Sequence, residues 1–399
     1  MTSNHHNKLT PNTTPDTSRF IRFAAAALMA LALIPAFGKD RERDDHERDD
    51  HGRDRDRDRD GEYAQTNLVA DLAGVAQLQD TNLVNAWGIS FSATTPFWVS
   101  DNGTGKSTLY AVTNDASGAP HVVKQSLEVN IPGDGSVSGQ TFNSLGGFNG
   151  DIFIFASEDG TISGWRGALG ANAEVLTTRT NGVYKGITIV SNTSGVMLLA
   201  ANFAEGTIDV YNPSMTLVAQ YSDPHAPTGY APFNVQALQG TVFVTYAKQD
   251  PAKHDDDAGP GRGLIDILNP QTGAFHRLAT GSAAGGHNHD LNSPWGLALA
   301  PASFGAHGDQ LMVGNFGSGT IMAFEADGDF RGLLEGAHEK PIVIDGLWGL
   351  AFGNGTRAGV TNALYFSAGP AGESHGLFGS LVPMPEEEHG HHDRDCDRH

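Results

Sequence analysis

The feature that most constrains this chain is a short signature that returns along it. Asn85-Ala86-Trp87-Gly88-Ile89-Ser90, Ser293-Pro294-Trp295-Gly296-Leu297-Ala298 and Gly346-Leu347-Trp348-Gly349-Leu350-Ala351 share a Trp-Gly pair followed by an aliphatic residue. Weaker copies stand at Tyr184-Lys185-Gly186-Ile187-Thr188-Ile189 and at Pro232-Phe233-Asn234-Val235-Gln236-Ala237. Spacing places a sixth near Asn143-Ser144-Leu145-Gly146.

Each copy leads into an apolar run, a polar glycine turn and a second apolar run. Phe97 to Val112, Asp151 to Trp165, Met197 to Tyr211 and Leu311 to Phe324 follow that pattern. In the fourth copy Val242 to Tyr246 and Leu264 to Leu268 flank an insertion, and the sixth runs through Ala363 to Phe366 and Leu377-Phe378. Units of roughly 40 to 60 residues with several short strands have the period of propeller blades, not of helical repeats. Fifty glycines and 19 prolines leave little room for long helices, which agrees.

The expected fold is therefore all-β, a six-bladed β-propeller. One four-stranded blade cannot bury both of its faces, whereas a closed ring packs each between two neighbours. Glycines after the Trp let the inner strands crowd around the axis. Asn67 to Leu72 is strand-like, and the last unit ends near Leu381-Val382 without a clear fourth strand. The N-terminal strand is thus expected to complete the last blade and remove an exposed edge.

Pro294 to Ala298 and Val99-Ser100-Asp101-Asn102 resemble the Pro-x-Gly-Ile-Ala strand and the Tyr-Val-Ala-Asp-x-x-Asn hairpin of NHL-type propellers. The body from Asn67 to Pro383 is similar to an uncharacterised family of exported bacterial β-propeller proteins, some with PEP-CTERM tails. This chain departs from them in ending with Pro383-Met384-Pro385 and a His/Asp-rich tail. The resemblance implies the fold and brings no established activity.

Outside the body, residues 1–38 read as a signal peptide. Arg19 and Arg22 precede the apolar stretch Phe23 to Ile34, and Ala36-Phe37-Gly38 offers a small-residue cleavage site, a stretch too short to span a bilayer. The protein is expected to be exported, periplasmic or extracellular, with no integral membrane segment after signal removal. Residues 39–61 form a mixed-charge linker that cannot bury a core, residues 62–383 the propeller, and residues 384–399 a disordered tail. That tail carries His389, His391, His392, Cys396 and His399. These are metal-binding residue types, but their spacing fits no closed zinc site.

The chain has 25 Lys and Arg against 46 Asp and Glu, a formal net charge of −21. No basic footprint exists, so nucleic acid is excluded as a partner. Cations and neutral ligands suit the surface better. Asn102-Gly103-Thr104-Gly105-Lys106-Ser107 approaches a P-loop, but the first glycine is replaced by Ser100 and related segments recur at Asn202 to Thr207 and Asn315 to Thr320. It reads as a hairpin turn. No Gly-x-Ser-x-Gly, His-Glu-x-x-His or Cys-x-x-Cys-His motif occurs. Trp87, Trp295 and Trp348, at one repeat position, read as packing between blades and not as sugar platforms.

In a propeller, the turns leading into the inner strands and those joining the second and third strands open on one face. There Asn85, Asp101, Asn102, Glu158, Asn202, Asn234, Asn315 and Asp345 are candidates for a ligand site at the channel mouth. Their plainer use is to hold turns together. His287-Asn288-His289-Asp290 adds two imidazoles and a carboxylate, a candidate metal set of His287, His289 and Asp290 in which His287 and His289 are also the candidate catalytic bases. Oxygen donors suit Ca²⁺, and imidazoles suit Zn²⁺, so a divalent metal ion is the expected cofactor if there is one. The insertion Lys248 to Gly263 has the composition of a solvated loop, and its position also makes it a lid candidate.

Two classes of function fit. The first is a propeller that binds a small-molecule or protein ligand, or a metal ion, on its channel face without catalysis. The second is a metal-dependent hydrolase or lactonase with gluconolactonase-like architecture. The resemblance to those enzymes implies an axial ion held by Glu, Asn and Asp; here Asn85 stands at the equivalent strand and no matching Glu is found. Metal binding through the His-rich tail is a third reading.

Overall fold

The structure, a computed structural model, describes residues 61–281 and 290–384. The signal peptide, the linker up to residue 60, His287, His289 and the tail from Pro385 lie outside the described residues. So do the four tail histidines and Cys396.

Among the described residues six blade sheets stand in sequence order, as the repeat demands, with a small two-stranded sheet, Glu335–Gly336 with Lys340–Pro341, between the last two blades. Blade 1 runs from the inner strand Ala86–Ser90 through Phe97–Asp101 and Lys106–Asn114 to the outer Pro120–Asn130. Blades 2 to 5 repeat this meander from the inner strands Val137–Phe142, Tyr184–Asn192, Tyr230–Leu238 and Pro294–Leu299. Blade 6 begins with Leu347–Phe352, continues through Leu364–Ala368 and Leu377–Pro383, and takes its fourth strand from the other end of the chain. There Tyr63–Ala70 pairs antiparallel with Leu377–Pro383, from Tyr63 opposite Pro383 to Ala70 opposite Leu377.

The closing strand starts and ends earlier than the apolar pattern suggests. Asp71 leaves the sheet because its carboxylate accepts the Gly376 N–H at 3.0 Å and contacts His375 Nδ1 at 2.7 Å. The chain then returns as Leu78–Gln79, parallel to Val69-Ala70. Tyr63 is buried and its hydroxyl donates to the Phe304 carbonyl in blade 5, so the closing strand also bonds to the neighbouring blade.

One repeat is misplaced by sequence spacing. Asn143 to Gly146 is the loop after the inner strand of blade 2, where Asn143 Oδ1 accepts from the N–H groups of Leu145 and Gly146. The strand itself carries Val137-Ser138-Gly139-Gln140. Ser138 stands where other blades carry a large side chain, which leaves nothing aromatic to mark it.

Glycine follows that position in five of the six blades because the inner strands touch there. A Cβ on Gly139 would come within 2.8 Å of Gly186 Cα, and one on Gly296 within 2.4 Å of the Trp348 carbonyl oxygen. Between blades the core is aliphatic and aromatic, with Phe97, Phe155, Leu199, Val244, Val313 and Phe366 all inaccessible to solvent. Burial of such side chains, at about 1.5–3 kcal/mol each, is what holds the ring shut. Among the described residues no helix is long and apolar enough to cross a membrane.

Candidate ligand-binding face

Aligned on that glycine, and on Asn234 in blade 4, the six inner strands place Trp87, Ser138, Lys185, Phe233, Trp295 and Trp348 at one level. The aromatic members, with Phe203 and Phe316, form a single buried cluster. Trp87 stacks on Trp348 with ring centroids 3.7 Å apart, and Trp295 meets Trp348 edge-on at 5.8 Å. This aromatic plug closes one end of the central channel.

Lys185 is the exception in the plug. Its side chain is 1% exposed, and its ammonium lies 5.2 Å from the Trp87 ring centre and 5.8 Å from that of Phe203. A buried ammonium demands counter-charge. Glu158, on the second-to-third strand turn of blade 2, supplies it through a very short contact, and Asp255 supplies a second at 3.0 Å. Burial pulls the Lys185 pKa down, but the two carboxylates outweigh it and the net shift is upward. Asp255 responds oppositely: burial raises it, and Lys185 with His254 brings it below the usual carboxylate value.

Asp255 belongs to the blade 4 insertion, which is pinned at several points. Gly259 N–H donates to Asn292 Oδ1 at 2.7 Å, Lys248 Nζ pairs with Asp257 at 2.6 Å, and Gln249 Nε2 donates to the Phe203 carbonyl at 2.5 Å. The insertion is largely exposed, as its composition suggests, yet it also carries a carboxylate onto Lys185.

A hydrogen-bonded chain extends the group across blade boundaries. Asn102 Nδ2 donates to Glu158 Oε2 at 3.0 Å, and Asn85 Nδ2 donates to Asn102 Oδ1 at 3.2 Å and to Glu373 Oε1 at 3.3 Å. Burial raises the Glu373 pKa, against the Asn85 hydrogen bond that lowers it. Blades 1, 2, 3, 4 and 6 thus contribute to one cluster. Within it Glu158, His254 and Asp255 each offer a donor atom, all within 4.8 Å of one another. Two carboxylates and an imidazole at that spacing are competent to hold a divalent ion.

Of the residues singled out from sequence, Asn85, Asn102 and Glu158 meet in this cluster. Asp345, at the rim, accepts the Ala371 N–H at 2.7 Å. Asn202 and Asn315 serve the turns of blades 3 and 5: their Oδ1 atoms accept from Val183 N–H at 3.3 Å and Asn292 N–H at 3.0 Å. Asn234 replaces the inner-strand glycine of blade 4 and donates to the Trp295 carbonyl at 2.8 Å. Asp101 is fully buried inside blade 1, beside Thr108 and away from the cluster. Asp290 precedes the inner strand of blade 5 and is half-buried; its partner histidines lie outside the described residues. The P-loop-like segment is the hairpin joining Phe97–Asp101 to Lys106–Asn114.

Sequence reasoning missed Lys185 and Glu373. A lysine at the position where four of the other five blades carry Trp or Phe was the available signal for the first. Glu373 lies on the second-to-third strand turn of blade 6, between Leu364–Ala368 and Leu377–Pro383, whose Gly-Pro-Ala-Gly-Glu-Ser sequence does not resemble the shorter turns that carry Asn102 and Glu158.

No family model matches the chain. A structure of an alpha-l-arabinofuranosidase from Fusarium graminearum superposes with a TM-score of 0.50 at 10% identity, covering 80% of this chain and 98% of that one; the likeness concerns the fold alone. Proteins of Acanthamoeba polyphaga mimivirus match in sequence. The uncharacterized protein R648 is 27% identical over 338 residues, covering 79% of this chain and 78% of its own. These relatives are viral and give no support to the expected kinship with bacterial PEP-CTERM proteins. The uncharacterized protein L690 is 30% identical over 338 residues, 79% of this chain and 84% of its own. The chain belongs to the family of mimivirus protein L690.

Proposed function

We propose that the protein is a binding propeller whose plugged face takes a divalent cation, with Glu158, His254 and Asp255 as its first ligands. The observation that carries this reading is the convergence of their donor atoms within 4.8 Å, in a cluster where carboxylates outnumber the single ammonium. Glu373 adds a further acidic group beside it. The imidazole favours a transition metal such as Zn²⁺ over Ca²⁺. Lys185 neutralises the cluster when no ion is bound, so uptake of the ion displaces its ammonium from Asp255. The export expected from residues 1–38 is part of the same proposal, and the mass of the mature N-terminus checks it.

Calorimetric titration with Zn²⁺ and Ca²⁺, on the full chain and on a chain ending at Met384, tests the site. One equivalent of Zn²⁺ should bind to both forms, at least tenfold more weakly in Glu158→Gln and His254→Ala. Binding lost with the tail would transfer the function to its histidines. Binding lost only in His287→Ala or His289→Ala would transfer it to that segment. The hydrolase reading would use the same ion to polarise a carbonyl.

A further inference from the structure

The other end of the channel is chemically unlike the plugged face. A cavity of about 420 Å³ runs between the six inner strands, with Trp295 of the plug in its wall. Its lining, from Gly88 in blade 1 to Phe352 in blade 6, contains no Asp, Glu, Lys, Arg or His. In a chain with 46 acidic and 25 basic residues, that is a sharp separation of charge.

Several polar side chains of the wall are already engaged, while Ser90 Oγ and Gln140 Oε1 are buried without a partner. Gln140 Nε2 donates to the Gly88 carbonyl at 2.7 Å and to that of Trp98 at 2.8 Å. Asn234 Nδ2 donates to the Trp295 carbonyl at 2.8 Å, and its Oδ1 accepts the Val235 N–H at 2.8 Å. Thr188 Oγ1 accepts the Ala237 N–H at 3.2 Å. These bonds also use up backbone groups on the inner strand edges. Nearer the strand ends the wall turns apolar: Phe91, Phe142, Leu238, Leu299 and Phe352 come from five different blades and are all half-buried. Gln236 and Gln239 add amides on the blade 4 side.

We infer that this channel is a second binding site, for an uncharged small molecule with an apolar body and a terminal hydrogen-bonding group. Its volume falls within the range of small-molecule pockets, roughly 300–1,000 Å³. A charged ligand would leave water without meeting a counter-charge, an unfavourable transfer, whereas an apolar body fills the five-blade collar and reaches toward Trp295. The site is independent of the acidic cluster and does not rest on the cation reading.

Three probes of matched length separate the possibilities: 1-hexanol, hexanoate and hexylammonium, titrated against the full chain by ligand-observed NMR. Hexanol should bind, with hexanoate and hexylammonium at least tenfold weaker. Ala351→Trp and Ala237→Trp, at half-buried wall positions on two blades, fill the channel and should each weaken hexanol at least tenfold with the melting temperature retained. Two variants are used so that a folding defect in one leaves the other to decide. The inference is overturned by no hexanol binding, by equal binding of the charged probes, or by hexanol binding that survives a folded Trp variant.

Discussion

Trp87 and Trp348 are stacked neighbours that donate to one acceptor: their Nε1 atoms lie 2.9 Å and 3.3 Å from Asn85 Oδ1. Asn85 thereby joins the first blade to the last at the level of the plug, and it holds a left-handed backbone, φ 50°, that asparagine tolerates well. Asn85→Ala strips the acceptor from two buried indoles and places a Cβ-only residue at positive φ. An unsatisfied buried donor costs about 1–3 kcal/mol. The expected loss is about 3 kcal/mol in urea unfolding, with indole fluorescence altered because both rings lose their common anchor.

The inner-strand glycines make a sharper prediction about packing. A Cβ on Gly296 would collide with the Trp348 carbonyl oxygen at 2.4 Å and crowd Leu350 Cγ at 2.9 Å, so two blades would have to part. Gly167 has nothing within 4 Å of its Cβ position and no positive φ. Gly296→Ala should destabilise by about 1–3 kcal/mol, the range for overpacking a well-filled core. Gly167→Ala should be neutral or slightly stabilising. Thermal unfolding of the two variants side by side measures the difference.

Lys185 joins stability to the proposed ion. Lys185→Met keeps much of the side-chain bulk against Trp87 and Phe203 but leaves Glu158, whose side chain is 10% exposed, without its ammonium. Breaking a buried pair from one side costs about 3–5 kcal/mol. The variant should melt well below the parent in chelator and recover most of that loss in millimolar Zn²⁺, more than the parent gains. Equal metal responses in parent and variant would count against a shared position for ion and ammonium.

The sequence made the ring readable because glycine and tryptophan mark the inner strands where neighbouring backbones nearly touch. It failed at blade 2, where Ser138 fills the plug position and its hydroxyl donates to the Tyr184 carbonyl at 2.6 Å. A small residue there satisfies the same geometry without the signature. The candidate site was half visible for a related reason. Asn85 and Asn102 stand at repeat positions whose face is fixed by topology, so their convergence could be anticipated. Lys185 has meaning only once its five counterparts are known to be plug residues. Asp255 reaches it from an insertion whose path no periodicity encodes. Asp101 shows the opposite error: it is the last residue of the strand Phe97–Asp101 and is buried within the blade, whereas Asn102 already belongs to the turn.

That burial gives Asp101 a testable pH signature. Its carboxyl is inaccessible to solvent. Burial drives its pKa well above the model-peptide value of 3.8; the Thr108 hydroxyl opposes this, Asp80 reinforces it and Lys124 opposes it. With the folded pKa above the unfolded one, the folded chain keeps a proton that the unfolded chain has shed. The associated stability is fully present below pH 3.8 and is lost as pH rises toward the folded pKa. Asp101→Asn cannot ionise and escapes that loss. Comparing variant with parent at each pH cancels the titration of distant groups, so the difference isolates this carboxyl. The variant should match the parent near pH 4 and exceed it by about 1–2 kcal/mol near pH 8. Urea unfolding at both values decides: a variant weaker than the parent at pH 8 would mean that the Asp101 carboxylate supports blade 1 through its charge.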